Sequence, residues 1–142
     1  MDEKLKQLLS SIDSVDDYES PDYFNYTLEL EKVKKLKIIL DQLLGLTLEI
    51  DNYVQDASFF TTLSFVHDNL CDIAIRFSNY GNLTSIYIYK LEAKLPIKVL
   101  IQTLEDNGYV YVSCDALEVP YDGINKNVFD GGTWWDRYFN YV

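Results

Sequence analysis

The sequence predicts an α+β protein, with an antiparallel sheet of about five strands, helices at the N-terminal end and one helix between strands four and five. Three observations predict it. Apolar residues recur at spacings of three and four near the start and again after Pro96. Between about Leu46 and Tyr89 the spacing falls to two. The strand-like runs in that middle stretch follow one another with only turn-sized gaps, which is the pattern of a meander. A chain of 142 residues falls in the size range of one domain, so residues 1–142 are expected to share a single fold.

Leu5, Leu8, Leu9 and Ile12 form one apolar stripe, which makes residues 2 to about 13 an amphipathic helix. Ser20-Pro21-Asp22 has the form of a cap followed by proline in a first turn, a short helix running to Tyr26. Thr27 then caps a long helix whose buried stripe is Val33, Leu36, Leu40 and Leu43 and whose stop is Gly45. Strands are expected at Leu46–Asp51, Ala57–Val66, Asp72–Ser78 and Asn82–Tyr89. The third alternates Ile73, Ile75 and Phe77 with Asp72, Ala74 and Arg76, so one face should be buried and the other wet. Asn79-Tyr80-Gly81-Asn82 suits the turn into the fourth strand. Pro96 opens a helix with Ile97, Leu100, Ile101 and Leu104 inward, ended by Asn107-Gly108, and Tyr109–Ser113 returns to strand spacing. Pro120-Tyr121-Asp122-Gly123 and Asp130-Gly131-Gly132 are turns. From Thr133 onward helix and strand both fit, and Thr133 as a cap tips the reading toward a short helix.

Charge is the unusual feature of the composition. There are 23 acids against 12 bases, a formal charge of −11, on a chain whose 48% apolar content is otherwise ordinary. Nucleic acid and anionic membrane should repel such a chain, and a basic protein should be drawn to it. Solubility alone would also account for the charge. The acid is spread along the chain. Residues 1–30 carry eight acids against Lys4 and Lys6, whereas residues 31–40 carry Lys32, Lys34, Lys35 and Lys37 against Glu31. No apolar run approaches the roughly 20 residues of a membrane span, and the opening Met1–Lys6 is unlike a secretory signal, so a cytoplasmic location is expected.

Groups for catalysis are sparse. The one histidine, His67, stands beside Asp68 at a strand end, with no Ser or Cys nucleophile motif near it. Cys71 and Cys114 lie 43 positions apart, outside any zinc or disulfide spacing, and read as two half-buried thiols. Asp130-Gly131-Gly132 lacks the strand-to-helix context of a phosphate loop, and the carboxylate pairs Asp16-Asp17 and Glu105-Asp106 read as solvated acids. Neither catalytic residues nor a metal or other cofactor are expected, and the chain is read as a binder rather than an enzyme. Tyr87, Tyr89, Tyr109 and Tyr111 alternate with aliphatics, which suits half-buried packing or an exposed phenolic surface.

The last ten residues hold five aromatics, including Trp134 and Trp135. Adjacent residues cannot both point inward, so one tryptophan should enter the core. The other is either an interface anchor or a lid over the end of the domain. The candidate contact residues are the acids Asp13, Asp16, Asp17, Asp122, Asp130 and Asp136, with Trp135 and Tyr138.

A compact acidic chain ending in Thr133-Trp134-Trp135-Asp136-Arg137-Tyr138-Phe139-Asn140-Tyr141, after Val119-Pro120-Tyr121-Asp122-Gly123, resembles the small bacterial immunity proteins that neutralise polymorphic or contact-dependent toxins. The resemblance lies mainly in residues 119–142 and is one of style and composition. It implies stoichiometric inhibition of a cognate toxin domain, basic and often a nuclease, by docking over its active site or substrate channel. The alternative is a small-ligand or regulatory domain in which several tyrosines line a pocket.

Overall fold

In a computed structural model of the chain, residues 1–15, 21, 23–52, 61–67, 70–88, 96–128 and 130–140 are described. The element order is α1 (Glu3–Ile12), α2 (Tyr26–Leu44), β1 (Glu49–Asn52), β2 (Thr61–His67), β3 (Leu70–Phe77), β4 (Leu83–Ile88), α3 (Ile97–Asp106), β5 (Val110–Tyr111), α4 (Cys114–Leu117) and a π-helical turn, Asp136–Asn140. This is an α+β fold. Its sheet runs β1-β2-β3-β4-β5 in space.

Local chemistry sets most element ends. Asp2 accepts from the backbone N–H groups of Lys4 (2.7 Å) and Leu5 (3.2 Å) and so caps α1. Helix α2 starts at Tyr26, capped by Asn25 Oδ1 on Leu28 N (3.1 Å); the expected cap Thr27 lies inside the first turn instead. The expected short helix after Ser20 falls partly on residues outside those described. At Phe24 the chain makes a single turn, with its N–H returning to Pro21 O at 3.0 Å. Gly45 ends α2 at φ +66°, where a side chain would crowd its own backbone. Between β3 and β4, Gly81 and Asn82 both take positive φ and Leu83 N returns to Tyr80 O at 3.1 Å, as in a type I′ turn.

The first four strands pair antiparallel, as the meander pattern requires. The fifth joins β4 in parallel, because α3 carries the chain back before it re-enters the sheet; the sheet is therefore mixed. Ile73, Ile75 and Phe77 face α2 and α3, and together with Val33, Leu36, Leu40, Leu63, Ile86, Leu100 and Leu104 they make the principal core.

The opposite face is not wet as expected. Ala74 is only 4% exposed, and Thr62 and Ser85, which flank Arg76 on the same face, are buried as well. Part of the cover is the C-terminal turn. Arg76 Nη1 donates to Phe139 O (3.3 Å), Ser78 Oγ donates to Tyr138 O (2.6 Å), and the Trp135 ring lies 6.3 Å from that of Tyr87. A second core follows on this side, built from Leu9, Tyr80, Leu83, Val112, Leu117, Tyr121, Trp134, Tyr138 and Phe139. Strand alternation shows which residues share a face; it does not show whether a distant segment will cover that face.

Candidate functional site

The second core is organised around one ion pair. Arg137 Nε donates to Asp13 Oδ1 at 2.9 Å, with side-chain exposures of 0% and 1%. Burying two charges is costly unless their remaining hydrogen-bonding capacity is used, and here it is. Asp13 also accepts from the Tyr121 hydroxyl (2.5 Å) and from Asn125 Nδ2 (3.2 Å). The guanidinium reaches Ser14 O (3.4 Å) and lies over the rings of Tyr80 (4.5 Å) and Tyr138 (5.4 Å). Burial, reinforced by the Asp13 carboxylate, pushes the Tyr121 phenol up to about 12, so it remains a donor. The Tyr138 phenol is also raised, chiefly by burial. Its hydroxyl donates to Leu9 O at 2.5 Å and satisfies a carbonyl near the C-terminal end of α1.

This knot supports a loop. Tyr121 N donates to Gly132 O (3.0 Å) and Trp134 N to Val119 O (3.1 Å), closing the loop at its base around a Pro120–Thr133 bridge. Inside it, Asn125 is buried. Its amide donates to Ser14 O (2.6 Å) and its backbone N–H donates to the Tyr121 hydroxyl (3.0 Å). Gly123 is required for close approach, since a Cβ there would lie 2.5 Å from Asp13 Oδ2 and against the Tyr121 ring.

The expected contact residues divide by location. Asp13 and Tyr138 are interior, so neither offers a surface in this structure; each looked like an exposed residue because its partner lies more than a hundred positions away. Asp136 forms a reciprocal cap with Thr133: its Oδ2 accepts from Thr133 N (2.9 Å), and its N–H donates to Thr133 Oγ1 (3.2 Å). Trp135 is half-buried, stacked on Phe139 at 4.7 Å with Arg76 over its ring at 5.8 Å, whereas Trp134 is fully buried. Asp122 and Asp130 are exposed. Asp122 pairs with Lys6, which holds its carboxyl below the usual range, and accepts from Trp134 Nε1 at 3.2 Å. Asp16 and Asp17 lie outside the described residues.

Sequence reasoning missed Arg137 and Asn125. The available signal for Arg137 was a single base set within an aromatic run, which needs an acid once the run is buried.

Among the other groups considered, Tyr109 is buried and donates to Glu29 at 3.0 Å, while Tyr87 keeps an exposed edge. Cys114 is a half-buried free thiol, its pKa raised first by burial and then by Asp115. His67 closes β2 opposite Leu70, and Asp68 lies outside the described residues. Among the described residues no three His, Cys, Asp or Glu side chains gather as metal ligands, and no helix is long and apolar enough to cross a membrane.

Among the described residues, two of the surface hollows bear on the small-ligand reading. One, of about 210 Å³, lies between the start of α2 and the β3–β4 turn and includes Tyr23, Phe24, Leu28, Glu29 and Lys32. The other, of about 290 Å³, includes Lys6, Pro120, Asp122 and Trp134. Their volumes lie at or below the roughly 300 Å³ at which small-molecule sites begin. No protein-family model matches the chain, and neither a curated protein nor a solved structure matches it.

Proposed function

We propose that this chain is an immunity-type binding protein that neutralises a cationic toxin domain, such as a nuclease, by occupying its surface. The observation that carries this reading is the net charge of −11. An acidic surface of this kind accelerates encounter with a basic partner and can stand where the partner would otherwise hold phosphates. The C-terminal third supports it, because Asp115, Glu118, Asp122 and Asp130 are all exposed there. On this reading the protein acts in the bacterial cytoplasm without a cofactor and without catalysis. The small-ligand alternative receives less support from the two hollows, each of which includes one tyrosine or none.

The test is co-expression with the C-terminal domain of the protein encoded immediately upstream. Rescue of growth, together with a purified one-to-one complex whose association rate falls as salt rises, is the expected result. Toxicity that persists despite soluble expression of this chain refutes the reading.

A further inference from the structure

Helix α2 buries one face and leaves a patterned stripe on the other. Val33, Leu36 and Leu40 belong to the principal core. On the opposite side Leu28, Glu31, Lys35, Ile38 and Gln42 are all exposed, Leu28 to 61% and Ile38 to 64%. Their spacing is three, four, three and four, so helical geometry alone sets them in a single row about 21 Å long, and the exposed Ile39 borders it. A row of this spacing is the seam along which one helix packs on another. Single exposed aliphatics are ordinary on a protein surface. Here two large ones stand on the same seam with an acid and a base between them.

Those charges decide what fits the seam. Lys32 lies 3.6 Å from Glu29 and Lys37 lies 2.5 Å from Asp41, whereas among the described residues neither Glu31 nor Lys35 has an ion-pair partner. Residues 31–40 carry four lysines against Glu31, so a basic protein is repelled here, while the repulsion between two chains of charge −11 is at its weakest. The row is complementary to itself. When a second α2 lies antiparallel on the first, with the two-fold axis near Val33, Leu28 of each copy meets Ile38 of the other and Glu31 of each meets Lys35 of the other. Symmetry makes each contact occur twice. A parallel pair would set Glu31 on Glu31 and Lys35 on Lys35. Sliding the antiparallel pair by one heptad would set Glu31 on Gln42 and Lys35 on Ile38, which loses both ion pairs. The like-charge approaches across the axis, Lys34 to Lys34 and Lys32 to Lys32, lie on the wet flanks of the seam, where solvent screens them, and Lys32 is already offset by Glu29.

We infer that the exposed face of α2 is a self-association surface, on which a second copy of this chain packs antiparallel through Leu28, Glu31, Lys35 and Ile38. A single helix pair belongs to the small class of interface, below about 1,200 Å², whose complexes are weak and reversible, so the dimer should form and dissociate with concentration. The inference does not depend on the toxin reading and stands or falls separately from it.

The experiment is sedimentation equilibrium of the full chain between about 1 μM and about 1 mM, and the parent is expected to pass from monomer to dimer within that range. Ile38→Lys, Glu31→Lys and Lys35→Glu should each weaken dimerisation at least about tenfold. The double exchange, Glu31→Lys with Lys35→Glu, should recover it, because opposite charges again meet across the axis. All three positions are exposed, so melting temperatures at the dilute end, where each protein is a monomer, should match the parent. A parent that stays monomeric at the highest concentration overturns the inference, as does a dimer that Ile38→Lys leaves intact. Failure of the double exchange to restore a dimer that both single changes have broken overturns it too. A monomeric parent that binds vesicles of phosphatidylserine and phosphatidylcholine, and loses that binding on Lys34→Glu with Lys35→Glu, would show that the face takes a lipid surface instead of a second copy.

Discussion

Arg137 and Asp13 meet as an ion pair with an Nε–Oδ1 distance of 2.9 Å, almost without solvent exposure, across 124 positions of sequence. The pair joins the end of α1 to the C-terminal aromatic turn, and both lie under the loop carrying Asn125. Removing one member leaves the other charge buried and alone. Arg137→Met is therefore expected to cost about 3–5 kcal/mol, a large share of the roughly 5–15 kcal/mol that stabilises a domain. The double replacement Asp13→Leu with Arg137→Met should cost less than the sum of the two singles, because no uncompensated charge remains. Urea denaturation of the four proteins in the cycle measures both quantities.

Two glycines separate steric crowding from backbone strain. Gly123→Ala places a methyl against Asp13 and Tyr121, so one of the buried partners must move; a loss of about 1–3 kcal/mol is expected. Gly45→Ala meets no neighbour, yet holds alanine at φ +66°, for an expected loss of about 1–2 kcal/mol. Thermal unfolding gives both losses. Only the first should also alter the environment of Trp134, which packs edge-on to Tyr121 at 4.6 Å, and tryptophan fluorescence reads that difference.

Tyr138→Phe removes the hydroxyl that donates to Leu9 O. A buried carbonyl left without its donor costs about 1–3 kcal/mol, and the change in ring packing is slight. The unfolding midpoint should fall without a change in the denaturant slope.

Tyr121 carries a pH dependence whose sign follows from its raised pKa. The folded chain holds the phenolic proton more tightly than the unfolded chain does. The stabilisation is complete below the ordinary tyrosine value near 10, and it is lost as pH rises toward about 12. Stability should decline across that window, and Tyr121→Phe should flatten the decline. Phenolate absorbance should show one fewer late-titrating group in the variant.

The Asp122 carboxyl behaves in the opposite sense. Its pKa is lowered chiefly by the hydrogen bond from Lys6, so its contribution is present above the ordinary carboxylate range and lost as pH falls. Both residues are solvent-accessible, and Lys6→Met should cost no more than about 1 kcal/mol, with the difference shrinking in high salt.

What the sequence determined by itself was local. The stripe of Leu5, Leu8, Leu9 and Ile12, the stop at Gly45, the Gly81-Asn82 turn and the period-two runs of the meander each depend on residues within a few positions of one another, and these elements formed close to where the spacing placed them, although β1 begins at Glu49 rather than Leu46 and the expected strand residues Ala57 to Phe60 lie outside those described. The helix after Pro96 is of the same kind. Tertiary structure decided the rest: that β5 enters parallel, that the Arg76 face of the sheet is covered, and that Asp13 lies inside rather than on the surface. An aspartate after a helix looks like a solvated acid until the arginine 124 residues later is folded against it. Periodicity records which side of an element is apolar. Which distant segment that side meets depends on packing and on the satisfaction of buried polar groups, and both exist only once the chain has closed on itself.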